Sequence, residues 1–582
     1  MKKVLAILLA MAMLLALTAC GGAAGSAAPA AEASASEAAP AEEAAAEEAA
    51  PAEEAAPAEE AGSAAEAAPA EEAGSAAEVP AEEAEPVNVI EYPLEGNPSF
   101  TYTVIMRNNV LAMLGDDDFS VTSAYKGICE ATGCDIEFVA LGEATANEKI
   151  NINMASGDMT DFSVSVGNYA WNMSGAIEEG VLFDFTPYLE EYCPNYKALL
   201  DNDEDIRAAA TNPDGTISMF VSQAAPVQDK GMIIRQDWLD DLGLEKPTNR
   251  EDLEEVLKAF KSEKGATMPI LTNSGLETGL SHSFNMVFAG LNGVSYQLTE
   301  PNGKEVIANF ASENGIEYLM YLHHLYEEGL IIDDFMSTGR EQGNWESSYY
   351  GGKCGVWADG FRELDPANRA NAEDPNYRVS ALAMTDYECH VSDKSTASMM
   401  GQVFLTSACE DIENAMRLMN WCYTEEGIRN NLYGQEGDGY VLEDGKVVLT
   451  EKITNNPNGW SLNNALNWYG AQQWLPTCVT LEHWRLISAP ESFEALEYFT
   501  DAYGDKSMKL PASVALSADD TTEYYSLASD VGTLFAESAT KVVTGQLDEA
   551  GYRAVIEQAK GMGLDRMTEL YQAAYDKYLE EN

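Results

Sequence analysis

Within fifteen positions the chain sets Trp460, Asn463, Asn464, Asn467, Trp468, Tyr469, Gln472, Gln473 and Trp474. Indole and phenol rings offer flat apolar faces, and carboxamides offer donors and acceptors side by side. Those groups together suit a ligand with C–H faces and many hydroxyls, as a sugar ring has. Amides buried in a core would each need a partner there, so this density points to a cleft wall. Three further clusters carry similar chemistry at the ends of strand-like runs. Arg107-Asn108-Asn109 follows FTYTVI at 100–105, and Asn168, Tyr169 and Trp171 follow DFSVSV at 161–166. Asp359, Phe361 and Arg362 follow KCGVW at 353–357. The expected ligand-binding set is therefore Arg107, Asn108, Asn109, Asn168, Tyr169, Trp171, Asp359, Phe361, Arg362, Trp460, Asn463, Trp468, Gln472 and Trp474. A guanidinium pairs well with a carboxylate, so Arg107 or Arg362 would serve an acidic sugar. A neutral one would leave them paired with nearby acids.

Other chemistries find little support. There is no G-x-S-x-G elbow, no P-loop and no HExxH. With five histidines and scattered cysteines, no metal or cofactor is expected. The run Asp201-Asn202-Asp203-Glu204-Asp205 imitates the start of a calcium loop. It then places Ile206 where the sharp turn needs glycine and Asn212 where a bidentate glutamate is needed. It reads as a solvated helix start. Asp158 and Asp161 read as loop-capping groups.

Positioning these clusters requires a body of about 495 residues, too many for one core and enough for two lobes. Strand-like runs alternate with helical patterns, which predicts α/β layers. Strands are expected at 100–105 and 135–140, with helices at 124–131 and 145–155 between and after them. Further on, IIRQDWLDDLGLEKPTNREDLEEVLKAF at 233–260 is a punctuated helix pair. Gly243 sits where a left-handed cap is wanted, Pro247 blocks continuation, and Thr248 with Glu251 forms a capping box. Leu253, Val256, Leu257 and Phe260 make the apolar stripe of the second helix. Trp238 and Trp421 lie in such stripes and are assigned to core.

The N-terminus has two lysines, an apolar run from Val4 to Leu17, and then Leu17-Thr18-Ala19-Cys20. The run is too short to span a bilayer and fits a secretory signal. From Gly21 to Pro86 the chain is almost wholly Ala, Glu, Pro, Gly and Ser, with seventeen glutamates and no Lys or Arg. Such a segment has no large side chains to offset ordering entropy and is expected to stay extended. Fully drawn out it would reach on the order of 200 Å. The whole chain carries −64. Setting aside the two lysines and those seventeen glutamates leaves −49 for residues 87–582. A body this acidic repels nucleic acid and anionic lipid heads, so neither is an expected partner. Cys129 and Cys134 are close enough in sequence for a disulfide, and equally read as two unpaired small apolar residues.

Leu17-Thr-Ala-Cys20-Gly-Gly22 resembles the lipobox of bacterial lipoproteins, which implies cleavage before Cys20 and lipid on that cysteine. The stretch from Arg235 to Glu251 resembles the "RxDWLxxLGLxxPxTxxE" segment of extracellular solute-binding proteins of ABC importers, in the group associated with oligosaccharide uptake. Other segments resemble the same family in the expected order: residues 151–161, LHHLYEEGLIIDD at 322–334, GGKCGVW at 351–357, 421–440 and 562–578. Thr160 replaces a usual proline, and Cys354-Gly355 a common small pair. Neither change removes a ligand group.

The resemblance implies a two-lobed, periplasmic-binding-protein-like α/β fold of type II, with a ligand cleft between lobes and several hinge crossovers. It implies residues 1–19 as signal peptide and 20–96 as lipidated cysteine plus linker. Lobe one would take 97–225 and 398–458, and lobe two 226–397 and 459–582. Residues 107–109 match the family's first cleft loop, and relatives place cleft contacts near 168–171. The expected function is capture of an oligosaccharide by hinge closure and delivery to ABC permease subunits, by a monomer tethered outside the bacterial cell membrane and without catalysis. Two other readings fit the same residues, a surface glycosidase and a glycan-binding adhesin or sensor that transports nothing. The sequence does not identify the sugar.

Overall fold

Phe100, Tyr102, Val104 and Met106 alternate along one face of the first strand, and Thr103 is buried on the other. A strand covered on both faces belongs inside a sheet, and that is where the computed structural model places it. The model describes residues 89–581 apart from 107–112, 115–118, 168–172, 272–297, 300–302, 338–344, 366–371, 384–395, 461, 472–473, 504–509, 512–513 and 515. The described residues all fall in the unit Glu82–Asn582.

In chain order the first elements are β1 (Ser99–Met106), α1 (Ser123–Thr132), β2 (Asp135–Gly142), α2 (Glu143–Ser156), β3 (Phe162–Ser163), α3 (Glu204–Ala210) and β4 (Met219–Ala224). The chain then crosses to β5 (Lys230–Arg235), α4 (Gln236–Leu242), α5 (Arg250–Glu263), β6 (Met268–Ile270), α6 (Glu313–Glu327), β7 (Cys354–Gly360) and β8 (Val379–Leu382). It returns as β9 (Ala397–Leu405), α7 (Ile412–Cys422), α8 (Glu425–Tyr433), α9 (Leu462–Tyr469) and β10 (Cys478–Val479). It crosses a third time into α10 (Leu481–Ile487), α11 (Pro490–Tyr503), α12 (Ala518–Val543), α13 (Glu549–Gly561) and α14 (Leu564–Glu581).

Two sheets organise these elements. The first has the order β10-β4-β9-β3-β1-β2, and the second β8-β5-β7-β6. Both are mixed: β1 runs parallel to β2 and β3, while β9 is antiparallel to β3 and β4. Each sheet has its own apolar core. One gathers residues from Leu94 to Val221 with 403–423 and 471–475. The other gathers β5, β6, α5, α6 and the C-terminal helices, with a second cluster around Tyr349, Trp357 and Phe499 on the opposite face. Trp238 and Trp421 are core, as their stripes imply.

Local expectations hold with small shifts. Gly243 adopts φ +65° at the end of α4. The cap of α5 is Asn249 rather than Thr248, its side chain accepting from the amide of Asp252. Either residue type caps well, so neighbouring candidates leave a register of one undecided. Asp161 closes a loop by accepting from the amide and hydroxyl of Thr101. Cys129 and Cys134 are free thiols. The expected strand over 161–166 shrinks to Phe162–Ser163. The lobe boundary needs correcting at 459–479. This segment is expected in lobe two, yet β10 pairs with β4, and Ala471, Trp474 and Leu475 fill the first core. No helix among the described residues is long and apolar enough to cross a membrane.

The scaffold of the second sheet centres on Arg235, whose side chain is 0% exposed. Its Nε and Nη2 donate to the two carboxylate oxygens of Asp237 at 2.9 and 2.6 Å. Asp374 accepts a further bond at 3.3 Å. The guanidinium lies 4.2 Å from the Trp238 ring and 4.4 Å from the Tyr377 ring. One cation thereby holds the β5–α4 turn to a loop far away in sequence, and the Arg-x-Asp-Trp motif is structural.

Candidate ligand-binding site

α9 buries Ala465 and Leu466 against Leu432, Tyr433, Ile453 and Ile487, a small cluster set apart from both main cores. Its other face carries Asn463, exposed, and Trp468, half-buried against the first core. Trp460, just before the helix, brings its ring to 5.3 Å from Trp468 at 58°. The two indoles form a tilted, partly open platform. Gly434 lets the platform sit close: at φ +86° it lies so near Tyr469 O and Ser123 that a Cβ would fall within 2.6–2.8 Å of them.

The second lobe reaches this platform through the 3₁₀ turn Phe361–Leu364 that follows β7. There Arg362 Nη1 donates to Asn463 Oδ1 at 3.0 Å. Burial pulls the Arg362 pKa down, while the carboxylates of Asp365 and Glu363 oppose that pull. Glu363 also accepts from the hydroxyls of Tyr349 and Tyr350 at 3.1 and 2.7 Å. A guanidinium placed among acids and an amide stays charged.

α10 is wedged between the lobes. Thr480 caps it by accepting from the amide of His483. His483, 2% exposed, sets Nδ1 2.9 Å from the hydroxyl of Tyr433 on α8. The next residue, Trp484, meets Phe361 edge-to-face at 5.5 Å and 89°. Burial, aided by the Arg362 charge, lowers the His483 pKa to about 3. Its Nε2 finds no hydrogen-bond partner among the described residues, so an added proton would have nowhere to bond. The unfolded chain binds that proton near pH 6.5 and the folded chain near 3, so stability contributed by neutral His483 is present above pH 6.5. It is lost as pH falls, at ~1.4 kcal/mol per unit. Unfolding free energies at pH 7 and pH 5, from denaturant titrations, are expected to differ by ~2 kcal/mol. Most carboxylates are still ionised over that window. His483→Gln is expected to flatten the dependence, and equal slopes in the two proteins would remove His483 as its source.

The expected site residues divide four ways. Arg362, Asn463, Trp460 and Trp468 come together. Phe361 and Trp474, each 2% exposed, are core rather than cleft wall. Phe361 turns inward under the 3₁₀ turn onto Trp484, and Trp474 packs edge-on to Phe119 and Phe138. Asp359 lies within β7 rather than after it, and its carboxylate accepts from the Gly360 amide. Arg107, Asn108, Asn109, Asn168, Tyr169, Trp171 and Gln472 lie outside the described residues. Sequence reasoning missed Tyr433, His483 and Trp484. Their one signal was a histidine–tryptophan pair separated by three residues from the short strand β10.

A family model for the bacterial extracellular solute-binding proteins matches residues 118–428, more than half of the chain. The chain belongs to that family. Among its relatives, lipoprotein LipO of Bacillus subtilis is 23% identical over 479 residues, covering 77% of this chain and 88% of its own. The fructooligosaccharide ABC transporter substrate-binding protein FusA of Streptococcus pneumoniae serotype 4 is 28% identical over 307 residues, 50% of this chain and 56% of FusA. The crystal structure of the alginate-binding protein AlgQ2 without calcium ion superposes with a TM-score of 0.69 at 21% identity, covering 83% of this chain and 99% of AlgQ2. That likeness establishes the fold of this solute-binding protein as two-lobed and α/β, with crossovers between the lobes. Among the described residues no group of His, Cys, Asp or Glu is arranged to hold a metal ion.

Proposed function

We propose that this chain is a lipid-anchored receptor on the outer face of a bacterial cell membrane that captures an oligosaccharide between its lobes and delivers it to an ABC permease. The observation that carries this reading is the indole pair Trp460–Trp468 beside the Arg362–Asn463 bond, where an element of one lobe touches an element of the other. A guest lodged there would touch both lobes, and only contacts made to both at once favour a closed state. FusA and AlgQ2, named for the saccharides they bind, support the class of ligand. The resemblance of LipO, named a lipoprotein, supports lipid on Cys20. Residues 20–88 act as the tether, with lobe one in 89–225 and 398–479 and lobe two in 226–397 and 480–582. The protein works as a monomer and does no chemistry on its guest.

Arg362 is engaged by Asn463, with Asp365 and Glu363 beside it, which favours a neutral saccharide over a uronate. Calorimetry against neutral and uronate-bearing oligosaccharides tests both parts. A neutral oligosaccharide is expected to bind and to raise the melting temperature. Release of reducing sugar from such ligands, or no binding across the panel, would sink the reading.

A further inference from the structure

The three chains that connect the lobes leave the first lobe at one place. At the end of β4, the Gln223 amide donates to Thr477 O at 2.8 Å and the Ala224 amide to Thr396 O at 2.7 Å. Gln223 is also the register partner of both Ala397 on β9 and Cys478 on β10. The Thr477 amide returns a bond to Ser222 Oγ at 3.1 Å. These links alone would let each strand end fray, because they lie at the sheet's rim.

A single carboxylate closes the rim. Asp203 Oδ2 accepts from Gln223 Nε2 at 2.9 Å, and Oδ1 accepts from Thr396 Oγ1 at 2.6 Å. Oδ1 also caps α3 by accepting from the Ile206 amide at 3.2 Å. Asp205 accepts from the Thr396 amide at 3.1 Å. Burial would raise the Asp203 pKa, but the bonds from Thr396, Gln223 and the Ile206 amide hold it below the ordinary carboxylate value. A cap needs only the last of these.

On the far side the chain is gripped again at once. The Gln228 amide donates to Thr500 Oγ1 at 3.2 Å, and the Phe361 amide to Asp229 O at 2.8 Å. Between the two grips lie Ala225, Pro226 and Val227, where the Val227 amide donates back to Ala225 O at 2.8 Å. Pro226 has no amide to donate.

We propose that Asp203 is the positioning residue of the hinge: by splicing Gln223 to Thr396 it makes the crossovers leave the first lobe as one plate and confines bending to 225–227 and the β10–α10 junction. The inference rests on lobe closure but not on the identity of the guest. A spliced rim gives closure a single axis, so the two halves of a site 101 residues apart in sequence meet in one register. An unspliced rim would let each connector yield by itself.

Amide hydrogen exchange on the whole protein, with no saccharide added, tests this apart from the function proposed above. Asp203→Ser retains a capping hydroxyl for α3 but is too short to reach Gln223 and Thr396. It is expected to speed exchange at Gln223, Ala224 and Thr477 on the order of tenfold, with α3 and β1 unchanged. Thr477 is diagnostic, because Asp203 touches it only through Gln223. Asp203→Asn, whose amide oxygen still accepts from Gln223, is expected to restore part of the protection. Thr396→Val removes one link without touching the cap and is expected to give the same pattern, more weakly. Exchange altered in α3 alone, or unchanged at all three rim amides in Asp203→Ser and Thr396→Val, overturns the proposal.

Discussion

Replacing Asp237 with alanine is expected to destabilise the second lobe by about 3–5 kcal/mol, the cost of breaking a buried ion pair by removing one partner. Arg235 would keep its position between the Trp238 and Tyr377 rings, fully buried, with only the partly exposed Asp374 at 3.3 Å to balance it. The two rings already flank the cation in the parent protein, so they offset none of the loss. Arg235→Met strands Asp237 instead and is expected to cost a similar amount. Replacing both with apolar residues removes the uncompensated charge, and the double variant is expected to be more stable than either single one. Denaturant unfolding followed by tryptophan fluorescence reads all three. A loss below ~1 kcal/mol in Asp237→Ala would mean that water reaches the site.

The second large effect concerns binding. Trp460→Ala and Trp468→Ala are each expected to weaken a bound oligosaccharide roughly 30-fold, which corresponds to about 2 kcal/mol, the threshold of an interface anchor. Because the rings touch each other at 5.3 Å, removing one also frees the other to turn. The double variant is therefore expected to lose less than the product of the single losses. Trp468 also packs on the first core, so its alanine variant lowers the melting temperature as well. Phenylalanine at 468 restores packing and part of the platform, and binding is expected to return with it. Calorimetry that finds both single variants binding as tightly as the parent protein would show that the guest sits elsewhere.

Much of the fold was legible because its signals are local. Gly243 ends a helix wherever it stands, and the stripe Leu253-Val256-Leu257-Phe260 needs no distant partner to declare a buried face. Arg235 and Asp237 were visible as a motif, but their purpose was not. The loop that completes the cage, with Asp374 and Tyr377, lies 139 residues beyond Arg235. The same holds for Asp203, which reads as a helix cap until Gln223 and Thr396 are brought beside it. In the site, density of rings and amides located the platform but could not sort its members. Trp468 and Trp474 fall on opposite sides of the break at Gly470, where α9 ends, and the helical period that would relate them stops there. Phe361 failed for a similar reason, since a 3₁₀ turn follows β7 and rotates its side chain inward.

β10 has a consequence for how the protein is made. Its two residues, Cys478 and Val479, form the outer edge of a sheet whose first strand begins at Ser99. Chains grow from the N-terminus, so the 226–397 part of the second lobe emerges between those strands. The leading half must wait with β4 uncovered on one side until residue 479 has emerged, and an uncovered strand invites pairing with other chains. A chain cut short anywhere before residue 478 would lack its own seam.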